Sequence, residues 1–234
     1  MPPTNSKPTR VEAVWEAIRA EVLSARVPPA TKMKLADYAE RFDVSLSLVR
    51  EAMNRLADQG ILQANPQRGF STRPLSIRDL RELTRARIVI ETATLRESIA
   101  AGGLDWEADV VAAHHRLAAT DMYDATGAIN PEFGRTHREF HIALLAGSGN
   151  LHLESIATSL RDQSELYQYW SQNLRHGSDR DVPSEHRALA ELTVARKVDE
   201  AVEALTGHIQ ATTDSLEEYA AANGLDVEST ATLR

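Results

Sequence analysis

Apolar residues near the start of the chain recur every three or four positions, a spacing that places them on one face of an α-helix. The residues of this repeat are Val11, Val14, Ile18 and Val22. They predict a helix over about 10–24, which Pro28 and Pro29 follow with an extended turn. Residues 1–9 contain three prolines and little to bury, so a flexible arm is predicted there.

Two shorter helices and two strands are predicted next. The helices cover about 35–42 and 45–58, and the strands cover 61–63 and 69–72. Ser45 is the expected N-cap of the third helix, and Gly60 ends that helix. A turn with proline and glycine joins the strands into a two-stranded wing. Residues 10–75 are therefore predicted to form a winged helix-turn-helix domain.

After Pro74 the strand pattern disappears and helical spacing returns. Six helices are predicted, at about 77–101, 105–119, 131–146, 150–175, 184–196 and 198–222. The predicted fold class is mainly α: the winged helix-turn-helix is followed by an all-α bundle over 76–222. Residues 223–234 are predicted to form a flexible tail.

The net charge of -8 divides unevenly along the chain. Residues 1–75 carry a net charge of +3 and residues 76–234 carry -11. This asymmetry favours a nucleic-acid-binding domain joined to a domain with another task. The absence of cysteine excludes disulfides and thiolate chemistry, and no apolar run approaches the roughly 20 residues of a membrane span. A soluble, cytoplasmic protein with no membrane partner is predicted.

The predicted helix from Ser45 has an apolar face and a polar face. The apolar face contains Val49, Ala52, Met53 and Leu56, and the polar face contains Ser47, Arg50 and Asn54. Ser45 and Ser47 can approach DNA phosphates. Arg50 can donate to a guanine edge or a phosphate, and Asn54 can pair with adenine. With the basic wing residue Arg68, this face predicts DNA binding; the alternative is a solvated helix face.

Four of the eight histidines lie on helix faces that are predicted to point inward. They are His137, His141, His186 and His208. His137 and His141 are one helical turn apart, so their imidazoles can bind one metal ion. The alternative is that each histidine is buried separately and bonded to a carbonyl group. The remaining four histidines are interpreted as ordinary surface or helix-packing residues: His114, His115, His152 and His176.

The segment from Val44 to Gly60 reads V-S-L-S-L-V-R-E-A-M-N-R-L-A-D-Q-G and resembles the recognition segment of the GntR family of bacterial regulators. The wing sequence P-Q-R-G-F, residues 66–70, matches the family's P-x-R-G-x turn. The resemblance implies that Arg50 and the wing tip at Gly69 contact DNA. It also implies a homodimer on a two-fold operator in double-stranded DNA.

Two residues of this segment depart from the family pattern. Leu46 stands where the family usually has arginine, and Leu48 stands where it usually has proline. Leu46 can contact a thymine methyl group or cover the neighbouring helix, and the second interpretation is favoured.

The sequence F-H-I-A-L-L-A-G-S-G-N, residues 140–150, resembles the FCD ligand-binding domain of FadR-type GntR regulators, an antiparallel helical bundle around a metal. The typical ligands in that family are an aspartate and three histidines. The matching positions here are His137, His141, His186 and His208, so a histidine replaces the aspartate. The resemblance implies a divalent metal cofactor, and four neutral imidazoles suit zinc or nickel.

The same resemblance suggests where an effector binds. Arg87 and Glu91 match the family's R-x-x-x-E pattern, which implies that Arg87 faces the cavity and binds a small carboxylate. The alternative is a surface ion pair between these two residues. Tyr167, Tyr169 and Trp170 can line the cavity or pack in the core, and Tyr167 is the second effector-binding candidate.

These features together predict a DNA-binding transcription regulator, not an enzyme, that responds to a small carboxylate effector bound beside a metal. One alternative is a purely structural metal without an effector. Another is a hydrolase in which the metal activates water. That reaction needs a base such as Glu139, which is predicted to lie on another helix face.

Overall fold

The computed structural model describes residues 9–23, 27–74, 76–125, 129–174 and 180–222, without the side chains of 169–174. The chain divides into two compact units between residues 75 and 76. The predicted arm, apart from Thr9, and the predicted tail lie outside the described residues.

Within the described residues, the first unit contains three helices and three strands. The helices are α1 (Arg10–Leu23), α2 (Leu35–Phe42) and α3 (Leu46–Asp58), and the strands are β1 (Lys32–Met33), β2 (Leu62–Asn65) and β3 (Gly69–Thr72). The strands form an antiparallel sheet in the order β1-β3-β2. The order of a helix, a helix-turn-helix and a wing is confirmed.

Strand β1 corrects the prediction of a two-stranded wing. Its residue Met33 is buried and pairs with Phe70 of β3. The hydroxyl of Thr72 donates to the carbonyl oxygen of Pro28 at 2.7 Å, which holds the preceding turn against the same strand. A strand of two residues is too short to show an alternation of apolar and polar positions. The hydrophobic pattern therefore could not indicate it.

Helix α3 is positioned by its caps and by its apolar face. The Ser45 side chain accepts a hydrogen bond from the backbone N–H of Leu48, as expected of an N-cap. Gly60, with φ of 73°, follows the end of the helix in a left-handed conformation. The predicted apolar face is buried against α1 and α2, and its residues are Val49, Ala52, Met53 and Leu56.

The second unit is mainly helical and contains the six predicted helices in its described part. They are α4 (Ile77–Ala101), α5 (Leu104–Ala118), α6 (Pro131–Leu145), α7 (Leu151–Leu174), α8 (Val182–Val194) and α9 (Val198–Ala222). Helix α4 packs against α7 and α9, and α5 packs against α6 and α8. No helix in the described ranges has the length and apolar character needed to cross a membrane.

Helix α6, which carries two of the candidate histidines, is held at both ends. Asn130 caps its first turn by accepting a backbone N–H through its side chain. Near the other end, the Ser98 hydroxyl donates to the carbonyl oxygen of Leu145 at 2.7 Å. The Trp106 indole N–H donates to the carbonyl oxygen of Ala143 at 2.8 Å. These bonds connect α6 to α4 and α5 and fix its orientation in the bundle.

Candidate functional site

Three helices bring the four candidate histidines together. His137 and His141 lie on α6, His186 lies on α8 and His208 on α9, and the side chains are buried. One ring nitrogen from each histidine lies within 4.8 Å of those of the other three. Nitrogens that lie about 2.1 Å from one ion are at most about 4.2 Å apart. The histidines therefore surround a single point, and small side-chain movements would enclose an ion there.

The available ring nitrogens fit a metal. Nε2 of His141 and Nε2 of His186 are buried and have no hydrogen-bond partner within the described structure. Buried polar atoms without a partner are rare in native proteins because burial removes their bonds to water. A divalent ion would accept the lone pairs of both nitrogens. The chemistry of the cluster therefore fits a metal ligand set better than four separate histidines.

Glu185 orients the imidazole of His208. Its Oε2 lies 2.7 Å from Nδ1 of His208, and Arg180 forms a two-point ion pair with the same carboxylate. Burial alone would raise the pKa of Glu185, but the hydrogen bonds from Arg180 and His208 outweigh it and lower the pKa to about 2. An ionised carboxylate only accepts, so Nδ1 carries the proton and Nε2 is left to bind the metal.

Burial keeps the four imidazoles in the form that binds metals. It is the largest cause lowering the pKa of His137, His141 and His186 well below the ordinary value of 6.5. Burial likewise lowers the pKa of His208, although Glu185 acts in the opposite direction. The positive charge of Arg161 contributes to all four shifts. The imidazoles are therefore neutral at neutral pH, as metal ligation requires.

A buried ion-pair network lies on α4 and α7. Nε of Arg87 donates to Oε1 of Glu91 at 2.6 Å, and Nη1 of Arg161 donates to Oε2 of the same carboxylate at 3.0 Å. The ion pair of Arg87 with Glu91 was the predicted alternative, but it is buried and not on the surface. Arg161 was missed because no local pattern distinguishes a buried arginine on a polar helix. Its role depends on a residue 70 positions earlier in the chain.

The hydroxyl of Tyr167 is engaged at the first turn of α4. It donates to Oδ2 of Asp79 at 2.8 Å and lies 3.3 Å from the backbone nitrogen of Ser76. Asp79 precedes Arg87 by about 12 Å of helix. The effector-binding role of Tyr167 stays a prediction, and its hydroxyl already has partners about two helical turns before Arg87. The side chains of Tyr169 and Trp170 lie outside the described structure.

The environment of Glu139 does not suit a general base. This half-buried residue forms an ion pair with Arg135 and also lies 4.0 Å from Arg116. Both contacts engage its carboxylate on the helix surface. The residue that the hydrolase alternative would use as a base is therefore already held in ion pairs.

The remaining described histidines do not join the cluster. The His114 ring lies 5.6 Å from that of Phe140, while His115 and His152 are exposed. This placement agrees with their interpretation as packing and surface residues. His176 lies outside the described residues.

The predicted DNA-contacting residues lie on exposed parts of the first unit. Ser47, Arg50 and Asn54 are exposed along one side of α3, and Ser45 is exposed at its N-cap. Arg68 is exposed in the wing turn, and Gly69 follows it with φ of 86°, a left-handed conformation that favours glycine. The structure thus presents both the polar helix face and the basic turn to the solvent.

Leu46 differs from its favoured interpretation. The residue is 52% exposed at the first turn of α3, so about half of its surface is open to the solvent. One helical turn separates it from Arg50, and it lies beside that residue on the exposed face.

A winged helix-turn-helix domain joined to a helical domain of this type defines a transcription regulator and not an enzyme. The chain belongs to the GntR family of bacterial regulatory proteins, because the family model "Bacterial regulatory proteins, gntR family" matches residues 10–71 and the FCD domain model matches residues 82–211. The predicted family and its FCD subfamily are confirmed.

Known proteins resemble the chain over most of its length. The HTH-type transcriptional regulator BphR of Paraburkholderia xenovorans is 30% identical over 89% of this chain and 86% of its own. The HTH-type transcriptional repressor GlaR of Escherichia coli is 25% identical over 82% of this chain and 89% of its own. The structure of Escherichia coli McbR/YncC has a TM-score of 0.71 at 16% identity and covers 91% of this chain and 100% of its own, which supports the fold.

The lowered histidine pKa values predict that the metal-free protein loses stability in acid. Unfolded imidazoles bind protons below about pH 6.5, whereas the buried ones resist protonation, so the free energy of unfolding falls as pH decreases from 6.5. Each such imidazole can contribute up to about 1.4 kcal/mol per pH unit. Urea unfolding with a chelator present, at pH 7.5, 6.5 and 5.5, measures this slope.

Matched variants test whether the buried histidines cause the dependence of the free energy of unfolding on pH. His186→Gln should reduce it, whereas His152→Gln, at an exposed position, should leave it unchanged. A free energy of unfolding that is constant over this pH range would contradict the buried, neutral state of the cluster.

Proposed function

We propose that this GntR-family regulator holds a divalent metal ion at His137, His141, His186 and His208 and binds a small carboxylate effector beside it. The observation that carries the proposal is the convergence of four buried, neutral imidazoles, two of them with unpartnered Nε2 atoms. A histidine set of this kind is costly to bury without an ion.

The chemistry of the ligand set favours zinc or nickel. Imidazole nitrogens are borderline ligands that suit late first-row metals, whereas magnesium and calcium prefer oxygen. The four imidazoles are neutral and leave the double positive charge of the ion uncompensated by its ligands. This charge favours an anionic effector that occupies a further coordination position.

The exposed face of α3 provides the proposed reading surface. Ser45 and Ser47 would contact phosphates, while Arg50 and Asn54 would contact base edges in the major groove. Arg68 and Gly69 would place the wing against the DNA backbone. The exposure of Leu46 favours its contact with a thymine methyl group.

A homodimer would place two such helices on a two-fold operator, because one reading helix covers only a half-site. The effector would regulate binding through different affinities for two states of the dimer. A DNA-bound regulator of this kind acts in the bacterial cytoplasm.

DNA recognition is tested by Arg50→Ala. The variant should bind the preferred operator, selected from genomic fragments with the wild-type protein, about 10- to 100-fold more weakly, because a base or phosphate contact is lost. Arg55→Ala is the matched control, since Arg55 is exposed on the same helix but pairs with Glu51 at 2.8 Å. Equal operator affinity of Arg50→Ala and wild type, measured by fluorescence anisotropy, would contradict the proposed reading face.

The role of the metal is tested by removing and restoring it. The wild-type chain is stripped with a chelator and reloaded with zinc, nickel or magnesium, and its operator affinity is measured with acetate, lactate, succinate or citrate. At least one acid should change the affinity about 5- to 150-fold, and only after zinc or nickel is restored. An equal response without metal would contradict the proposed site.

The same experiment separates a regulatory metal from a structural one. If no acid changes the operator affinity, and chelation unfolds the helical domain in circular dichroism, the ion is structural.

A further inference from the structure

We infer that Arg161, and not Arg87, is the residue that binds the effector's carboxylate. The inference rests on the proposed function, since it assigns an anion-binding residue to the same site. Neither the family motif nor the sequence pattern points to Arg161. The assignment comes from how its guanidinium is buried and partnered.

Arg161 has an unused donor in the protein core. Its side chain is 4% exposed, and Nη1 donates to Glu91 at 3.0 Å. The Nε atom is buried and has no hydrogen-bond partner within the described structure. Leaving a charged donor unpaired in the core costs more than leaving a neutral one. An oxyanion placed against this side of the guanidinium would remove that cost.

Arg87 differs from Arg161 because its Nε atom has a hydrogen-bond partner. Nε of Arg87 donates to Oε1 of Glu91 at 2.6 Å, so this N–H group already has a partner. Glu91 uses one oxygen for each arginine. Arg87 is therefore suited to orient Glu91, and Glu91 in turn fixes the plane of the Arg161 guanidinium.

The local charge also favours an anion at Arg161. Glu91 supplies one negative charge for two guanidinium groups. The other acidic neighbour, Glu165, lies one turn further along α7, and its carboxylate is 3.6 Å from Arg138. Burial lowers the pKa of Arg161 to about 10, which still leaves it charged at neutral pH. Arg161 is a buried cation that shares its acidic neighbours with other arginines, so an additional anion would stabilise it.

Arg161 acts directly on the histidine cluster. Among the neighbouring charges, it has the largest effect in lowering the pKa of His137 and of His141. Its positive charge also lowers the pKa of His186 and His208. An anion that bridges Arg161 and the proposed ion would interact with both positive charges. A small carboxylate meets this requirement, because it can accept from the guanidinium and donate an electron pair to the metal.

Isothermal titration of the zinc-loaded full chain tests the assignment. Acetate, lactate, succinate and citrate are titrated into wild type, Arg161→Gln and Arg87→Gln, each with its metal content and circular dichroism measured. For the acid that binds wild type most tightly, Arg161→Gln should raise the Kd about 10- to 100-fold, as expected for a lost bond to a charged donor. Arg87→Gln should have a clearly smaller effect, although it breaks an ion pair with the same glutamate.

A second pair of variants, Arg161→Lys and Arg87→Lys, tests the assignment if Arg161→Gln does not fold. Arg161→Lys keeps the charge and can still pair with Glu91, but it lacks the planar donor group. It should raise the Kd more than Arg87→Lys does. An equal or larger effect of the Arg87 variants, in either pair, would overturn the assignment while leaving the proposed function intact. If wild type binds none of the acids, the proposed effector function fails and the assignment fails with it.

Discussion

The structure of the second unit depends on the burial of four neutral imidazoles around one point. Each imidazole carries a nitrogen that loses its bonds to water in the core, and the loss is tolerated only if another partner replaces water. His137 and His141 lie on adjacent turns of α6, and α8 and α9 each add one histidine to the same cluster. A single ion would satisfy all four and would join three helices that are distant in sequence.

The charges around the cluster complement this arrangement. Glu185 orients His208, and its carboxylate is already neutralised by Arg180, so a bound ion would gain no net negative charge from it. On the other side, Arg87 and Arg161 share the single carboxylate of Glu91. The core of the domain would therefore carry excess positive charge with the proposed metal bound. This excess would link the metal to the proposed anionic effector, since each would lower the electrostatic cost of the other.

The features that were predictable from sequence are those with local causes. Helix spacing and the caps at Ser45 and Asn130 depend on a few adjacent residues, so the six-helix unit and the recognition helix were predicted with nearly correct bounds. Strand β1 was missed because its two residues gain their conformation only from pairing with β3. Arg161 and the true partners of Tyr167 depend on contacts between remote helices, which no local pattern reports.

The proposed function requires the four-histidine cluster to bind one divalent metal ion. Elemental analysis of untagged wild-type protein, before and after reloading with zinc and nickel, tests this most directly. About one zinc or nickel per chain is expected, with a large loss of metal in His141→Gln and unchanged metal in His152→Gln, whose histidine is exposed. Folded wild-type protein that takes up neither metal after reloading would contradict metal binding at this cluster.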